Sequence, residues 1–181
     1  MNTPYTSLLS RDRVALAVID MQESFRRIIP DFDAVAERIA KAVQGAALLK
    51  VPIVVTEQYP RGLKRTAIEI ATHLNGAPVL EKTCFSSVGA DGFAEHLESR
   101  DVRQVLLCGI EAHICVTQTT LDLLSRGFEV HLLIDCITSR DPRSGTYSAV
   151  DFSRSSTPLP ALRPWRNTHV ASVSSDVGIG N

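Results

Sequence analysis

Three residues of different chemical type stand where apolar runs of this chain give out. Asp20 follows the run 14–19, Lys82 follows 78–80, and Cys115 follows the turn Gly109-Ile-Glu-Ala-His-Ile that leaves 102–110. A carboxylate can take a proton, an ammonium can hold negative charge, and a thiol can attack a carbonyl carbon. Together they could activate a sulfur nucleophile. Each has a plainer reading as well. An aspartate after an apolar run is often a turn former, a lone lysine is usually solvated, and a lone cysteine is usually a small buried hydrophobe. Cys108 and Cys136 fit that last description, and Cys84 stays open between the two. Cys115 differs because it follows a glycine-led turn and opens a predicted helix, where the N-terminus is expected to lower a thiol pKa. His113 stands two residues before Cys115, so the two side chains point apart and a structural role is preferred. His73, His96, His131 and His169 show no metal-ligand spacing. No Gly-x-Gly-x-x-Gly, Walker loop or Gly-x-Ser-x-Gly occurs, which removes the common nucleotide and serine-hydrolase readings.

The elements that would position these residues are legible in the hydrophobic pattern. Residues 14–19, 52–56, 102–110 and 129–134, and more weakly 78–80, are short runs rich in Val and Ile without helical period. They alternate poorly, as strands buried on both faces do. Between them lie helical patterns at 33–50, 91–100 and 114–126. Val35, Ile39, Val43 and Ala47 form a stripe on the first, with Asp31 or Asp33 as its cap and Pro52 as its stop. Gly127 would end the third. The alternation predicts right-handed βαβ crossovers and one α/β sheet, and a short last strand near 168–173. In such a sheet, ligands bind beyond the carboxyl ends of the strands, where Asp20, Thr56, Glu57, Glu81, Lys82, Cys115 and Asp135 all fall.

Composition sets the outer bounds. The chain has 181 residues, 44% hydrophobic and 22% charged, which suits one globular domain over 1–181 and excludes global disorder. Nineteen Lys and Arg against 20 Asp and Glu give a net charge of -1, with no hint of a nucleic-acid partner. No apolar run approaches the roughly 20 residues that cross a bilayer, and residues 1–10 are polar, so neither a membrane nor a secretory signal is expected. Four cysteines do not make a disulfide scaffold in a chain of this length, and a cytoplasmic protein is the default.

The segments 15–25 (ALAVIDMQESF), 81–86 (EKTCFS) and 106–116 (LLCGIEAHICV) resemble the isochorismatase-like cysteine hydrolases. Residues 56–63 (TEQYPRGL) are similar to the branch of isochorismatase-domain proteins whose substrates are mostly unassigned. The likeness runs in order over about 12–142. It implies a three-layer α/β/α fold with a mainly parallel sheet and a catalytic triad of Asp20, Lys82 and Cys115. Asp20 would move the thiol proton to a leaving amine, Lys82 would hold charge and help to lower the thiol pKa, and Cys115 would form a thioester with a small amide or related carbonyl C–N substrate. A cis peptide between Ile110 and Glu111 would aim the Glu111 and Cys115 backbone N–H groups at the oxyanion. True isochorismatases of the family lack the cysteine, so Cys115 points to the amidase-type side. Nicotinamidases carry an Asp-x-His metal site after the second strand. Here that segment, 57–61, has no histidine, so no metal and no cofactor are expected and nicotinamidase activity becomes a weaker expectation. Phe25, Tyr59 and Phe85 could wall a substrate pocket or equally belong to the core. The family likeness also implies a homo-oligomer.

Past Pro142 the chain departs from the family. Relatives run a helix and then a final strand, whereas 144–181 is divergent and rich in proline and serine at first. Two rivals from other classes stand beside the hydrolase: a non-catalytic oligomeric interaction module on the same fold, and a thiol-redox protein, for which no Cys-x-x-Cys is present.

Overall fold

A computed structural model describes residues 8–141 and a short strand at 170–173. Its core begins with β1 (Val14–Ile19), whose six residues are all buried. Valine, leucine and isoleucine there serve two cores at once. Val14, Leu16 and Val18 face one layer, and Ala15, Ala17 and Ile19 face the other. Poor alternation in the sequence is the mark of this two-sided burial.

The first layer is built by α1 (Phe32–Leu48), which lays Phe32, Val35, Ala36, Ile39, Ala40, Val43 and Ala46 on the sheet. The second holds α4 (Phe93–Glu98) through Phe93 and Leu97, and α5 (Thr117–Ser125) through Leu123. The remaining strands are β2 (Ile53–Gln58), β3 (Val79–Lys82), β4 (Gln104–Gly109), β5 (Glu129–Ile137) and β6 (Val170–Val173). They lie in the order β3-β2-β1-β4-β5-β6, five parallel and β6 antiparallel to β5. The three-layer α/β/α fold with a mainly parallel sheet is therefore present. The chain winds from β1 outward to β2 and β3, then crosses back to β4 on the other side of β1. That reversal opens a crevice between the ends of β1 and β4, the usual ligand position of such sheets.

Several local expectations are corrected. Asp31 occupies the cap position of α1 but makes no capping bond; its Oδ1 instead accepts from Thr138 Oγ1 at 2.5 Å. Asp33 lies within the first turn and pairs with Arg26. Strand β5 does not end at Asp135 but runs to Ile137 through a register shift against β4, and Asp135 is exposed. Two single-turn helices, α2 (Pro60–Leu63) and α3 (Ile68–Ala71), fill the β2–β3 connection and were not legible in the pattern. Among the described residues no helix is long and apolar enough to cross a membrane. The expectations for 1–7 and for 142–169 and 174–181, including much of the divergent segment, lie outside the described residues.

Candidate active site

Asp20 sits where β1 stops, with φ at 49°. Aspartate tolerates this left-handed conformation better than most residues, and the turn aims its carboxylate across the sheet end. Asp20 is 2% exposed. Thr56 Oγ1, one strand over on β2, donates to Oδ1 at 2.8 Å. Lys82 comes from β3, two strands away, roughly 9–10 Å of sheet. Only a long side chain covers that span, and Lys82 Nζ reaches Oδ2 at 2.6 Å. The ammonium is fully buried and also donates to Gln58 Oε1 at 2.7 Å and to the carbonyls of Cys84 and Phe85 at 3.1 Å. Its charge is thus both paired and hydrogen-bonded, the condition for a buried cation.

Cys115 arrives from the other side of the crevice. Gly109 ends β4 at φ 119°, where a Cβ would lie 2.0 Å from the Ile19 carbonyl oxygen, so only glycine lets β4 close on β1 there. The Ile110–Glu111 peptide is cis. Residues Ala112–Val116 then form a π-helical turn that leads into α5. Such turns recur at functional sites. Cys115 is 8% exposed, and its thiol lies close enough to the Asp20 carboxylate and the Glu111 backbone N–H for both to act on it.

The electrostatics differ from the expectation of a helix-activated thiolate. Burial, then the adjacent Asp20 charge, push the Cys115 thiol up to about 12, against the opposing pull of Lys82 and the Glu111 N–H. Burial also raises Asp20 above the ordinary carboxylate range, opposed by the Lys82 charge and by hydrogen bonds from Lys82, Thr56 and Cys115. Both shifts favour the protonated form, so the resting Cys115 is a thiol and not a thiolate. A π turn seated against a buried carboxylate does not give the thiol the benefit of an exposed helix N-terminus.

The crevice holds a cavity of about 150 Å³. Asp20, Cys115, Ile110 and Glu111 line its floor, with Phe25, Phe85, Leu63 and Ile114 as apolar walls and Gln58 and Arg140 as polar ones. Lys82 lies behind Asp20 and outside the lining. Tyr59 does not line it either: it stands 55% exposed at φ 37° before α2, with its ring against Gly62. Glu57 and Glu81 are absent from the cavity too. Glu57 Oε1 accepts from Thr66 N and Oγ1 at 2.7 and 2.8 Å, and Arg65 bridges Glu57 to Glu81 at 2.8 and 2.7 Å. His113 meets Ser139 Oγ through Nδ1 at 2.7 Å. Among the described residues no three His, Cys, Asp or Glu side chains are grouped to hold a metal ion.

Sequence reasoning missed three contributors. Gln22 is fully buried and locks the β1 end to β2, with Oε1 accepting from Gln58 N at 2.9 Å and Nε2 donating to the Gln58 and Lys64 carbonyls. Gln58 in turn holds Lys82. Arg140 Nε stands 2.6 Å from the buried Glu111 Oε1 at the cavity wall. A glutamine two residues past Asp20 was the one signal that could have been read; Arg140 reaches the site only through the sheet order.

A three-layer α/β protein with a thiol, a carboxylate and a buried ammonium at its switch point is thus defined on structural grounds. The chain belongs to the isochorismatase family: the model of the isochorismatase domain matches residues 14–157. Human isochorismatase domain-containing protein 2 is 48% identical over 126 residues, which are 69% of this chain and 60% of that protein. The chain thus spans 60% of the length of that curated relative. Among solved structures, the MAR1 ribonuclease of Caenorhabditis elegans superposes with a TM-score of 0.78 at 34% identity, covering 84% of this chain and 79% of that one. The nicotinamidase SaPncA of Staphylococcus aureus shares the fold at 16% identity, with a TM-score of 0.70 and coverage of 79% and 93%.

Proposed function

We propose that this protein is a cysteine hydrolase that cleaves a small amide or related carbonyl C–N bond through a thioester on Cys115. The observation that carries the reading is Cys115 beside Asp20, itself bonded to buried Lys82, at a small, mostly apolar cavity that both Cys115 and Asp20 line. Because the resting thiol is protonated, attack and proton transfer go together. As the sulfur–carbon bond forms, the S–H proton moves to Asp20 and the carbonyl π pair moves to oxygen. The tetrahedral adduct collapses, the C–N bond breaks, and the leaving amine takes the proton from Asp20. Water then attacks the thioester, giving a proton to Asp20, which returns it to sulfur as the acid departs. Lys82 keeps one positive charge beside Asp20 throughout and so limits the charge change in a buried site. The Glu111 N–H, beside the sulfur at the cis Ile110–Glu111 peptide, is suited to developing negative charge in the adduct.

The test is turnover of a panel of small amides, carbamoyl compounds and hydroxamates by the wild-type protein and by Cys115→Ala. Turnover that disappears in Cys115→Ala, with the fold retained, is the expected result. A substrate turned over equally well by Cys115→Ala would remove the thiol from the mechanism.

A further inference from the structure

Asp20 is held by more than its ion pair. Thr56 Oγ1 donates its single proton to Asp20 Oδ1 at 2.8 Å. The same oxygen lies 3.1 Å from Ser87 Oγ. With the Thr56 proton committed to the carboxylate, Ser87 must be the donor in that contact. Ser87 opens the turn Ser87–Gly89 and is fully buried, as is Thr56. Its backbone N–H donates to Thr119 Oγ1 at 2.9 Å, and Thr119 Oγ1 donates to the Cys115 carbonyl at 2.6 Å. One directed hydroxyl pair thus runs Ser87 to Thr56 to Asp20, and Thr119 ties its outer end to the backbone of the nucleophile. None of the three side chains lines the cavity.

We propose that Thr56 and Ser87 are positioning residues that orient the Asp20 carboxylate and polarise it toward the anionic form. The inference rests on the reading of Asp20 as the base for Cys115. Two hydroxyls in series strengthen one another in a dry interior, because each donor is made more acidic by the bond it accepts. A carboxylate that receives Thr56 on one oxygen and Lys82 on the other cannot rotate without breaking one of them. The charged and titratable groups facing Asp20 are Lys82 from β3 and the Cys115 thiol from the π turn; Thr56 and Ser87 bring no charge, and the nearby Glu111 carboxylate is paired with Arg140.

The experiment follows alkylation of Cys115 by iodoacetamide, read by peptide mass spectrometry across the acidic and neutral range. Wild-type labelling should step up as Asp20 ionises. Thr56→Val should move that step upward by about one pH unit, the worth of a hydrogen bond to a charged group. Ser87→Ala should move it the same way by less, and Thr56→Ser should restore it. Thermal melts identify any variant that fails to fold, in which case Ser87→Ala alone carries the test. A purely structural role would slow labelling at every pH and leave the step in place, which overturns the proposal. If Asp20→Asn keeps the wild-type step, the assignment of the base itself is wrong, and the two failures are thereby told apart.

Discussion

At the scale of single residues, the four cysteines separate by environment. Cys84 is exposed, and Cys108 and Cys136 are buried in the first core. Cys115 alone combines burial with a carboxylate partner and a cavity. Its thiol, pushed up to about 12, should not behave as a pre-formed thiolate. Limiting iodoacetamide at neutral pH, without substrate, should therefore label exposed Cys84 first. Labelling of Cys115 should need Asp20 and should fall at least about tenfold in Asp20→Asn. Mapping the labelled peptides checks this. Asp20 and Lys82 were legible in the sequence as polar residues at the ends of apolar runs, and Cys115 as the residue that follows a glycine-led turn. The protonation state was not, because desolvation is a property of the assembled crevice and no local pattern records it. Tyr59 shows the same limit from the other side: aromatic character was readable, but the left-handed turn that swings it out to solvent was not.

Elements bring these residues together, and their cost is visible at two joints. The Asp20–Lys82 pair spans β1 and β3 in a dry setting, and breaking a buried pair strands a charge. Asp20→Asn and Lys82→Met should each destabilise the fold by about 3–5 kcal/mol, whereas the double variant should recover much of the loss. Urea unfolding of the three variants measures this directly; additive losses would mean that the two charges do not act as a pair. The second joint is Gly109. Gly109→Ala would force a Cβ onto the Ile19 carbonyl at a positive φ, and it should lower stability by more than about 1 kcal/mol and reduce labelling of Cys115 as the β4 end shifts. The strands and the three main helices could be read from the sequence within a few residues, because most carry a strong apolar pattern; the edge strand β3, largely exposed, carried the weakest. Helices α2 and α3 and the π turn could not. They are too short for a periodicity and are held by contacts such as Glu57 with Thr66 and Gln22 with Lys64.

For the molecule as a whole, three buried thiols make its stability depend on alkaline pH. Burial pushes both Cys115 and Cys136 up to about 12, and Cys108 well above the ordinary thiol value near 9. Below that ordinary value the thiols are protonated in both states. Above it the unfolded chain loses protons that the native protein keeps, so stability should fall as pH rises from about 9 toward 12. Unfolding midpoints across that window check the sign, and Cys136→Ala should flatten the decline. The same burial links stability to function, since the two cores that support the sheet also dry the crevice in which Cys115 must react. The central claim, that the sulfur of Cys115 carries the acyl group, is tested most directly by acid-quenching the protein during turnover of an amide substrate and mapping the adduct by mass spectrometry. A single acyl group on the peptide containing Cys115, labile to hydroxylamine and missing from Cys115→Ala, is the predicted result. An acyl group on Cys84, Cys108 or Cys136, or turnover that persists in Cys115→Ala, would contradict it.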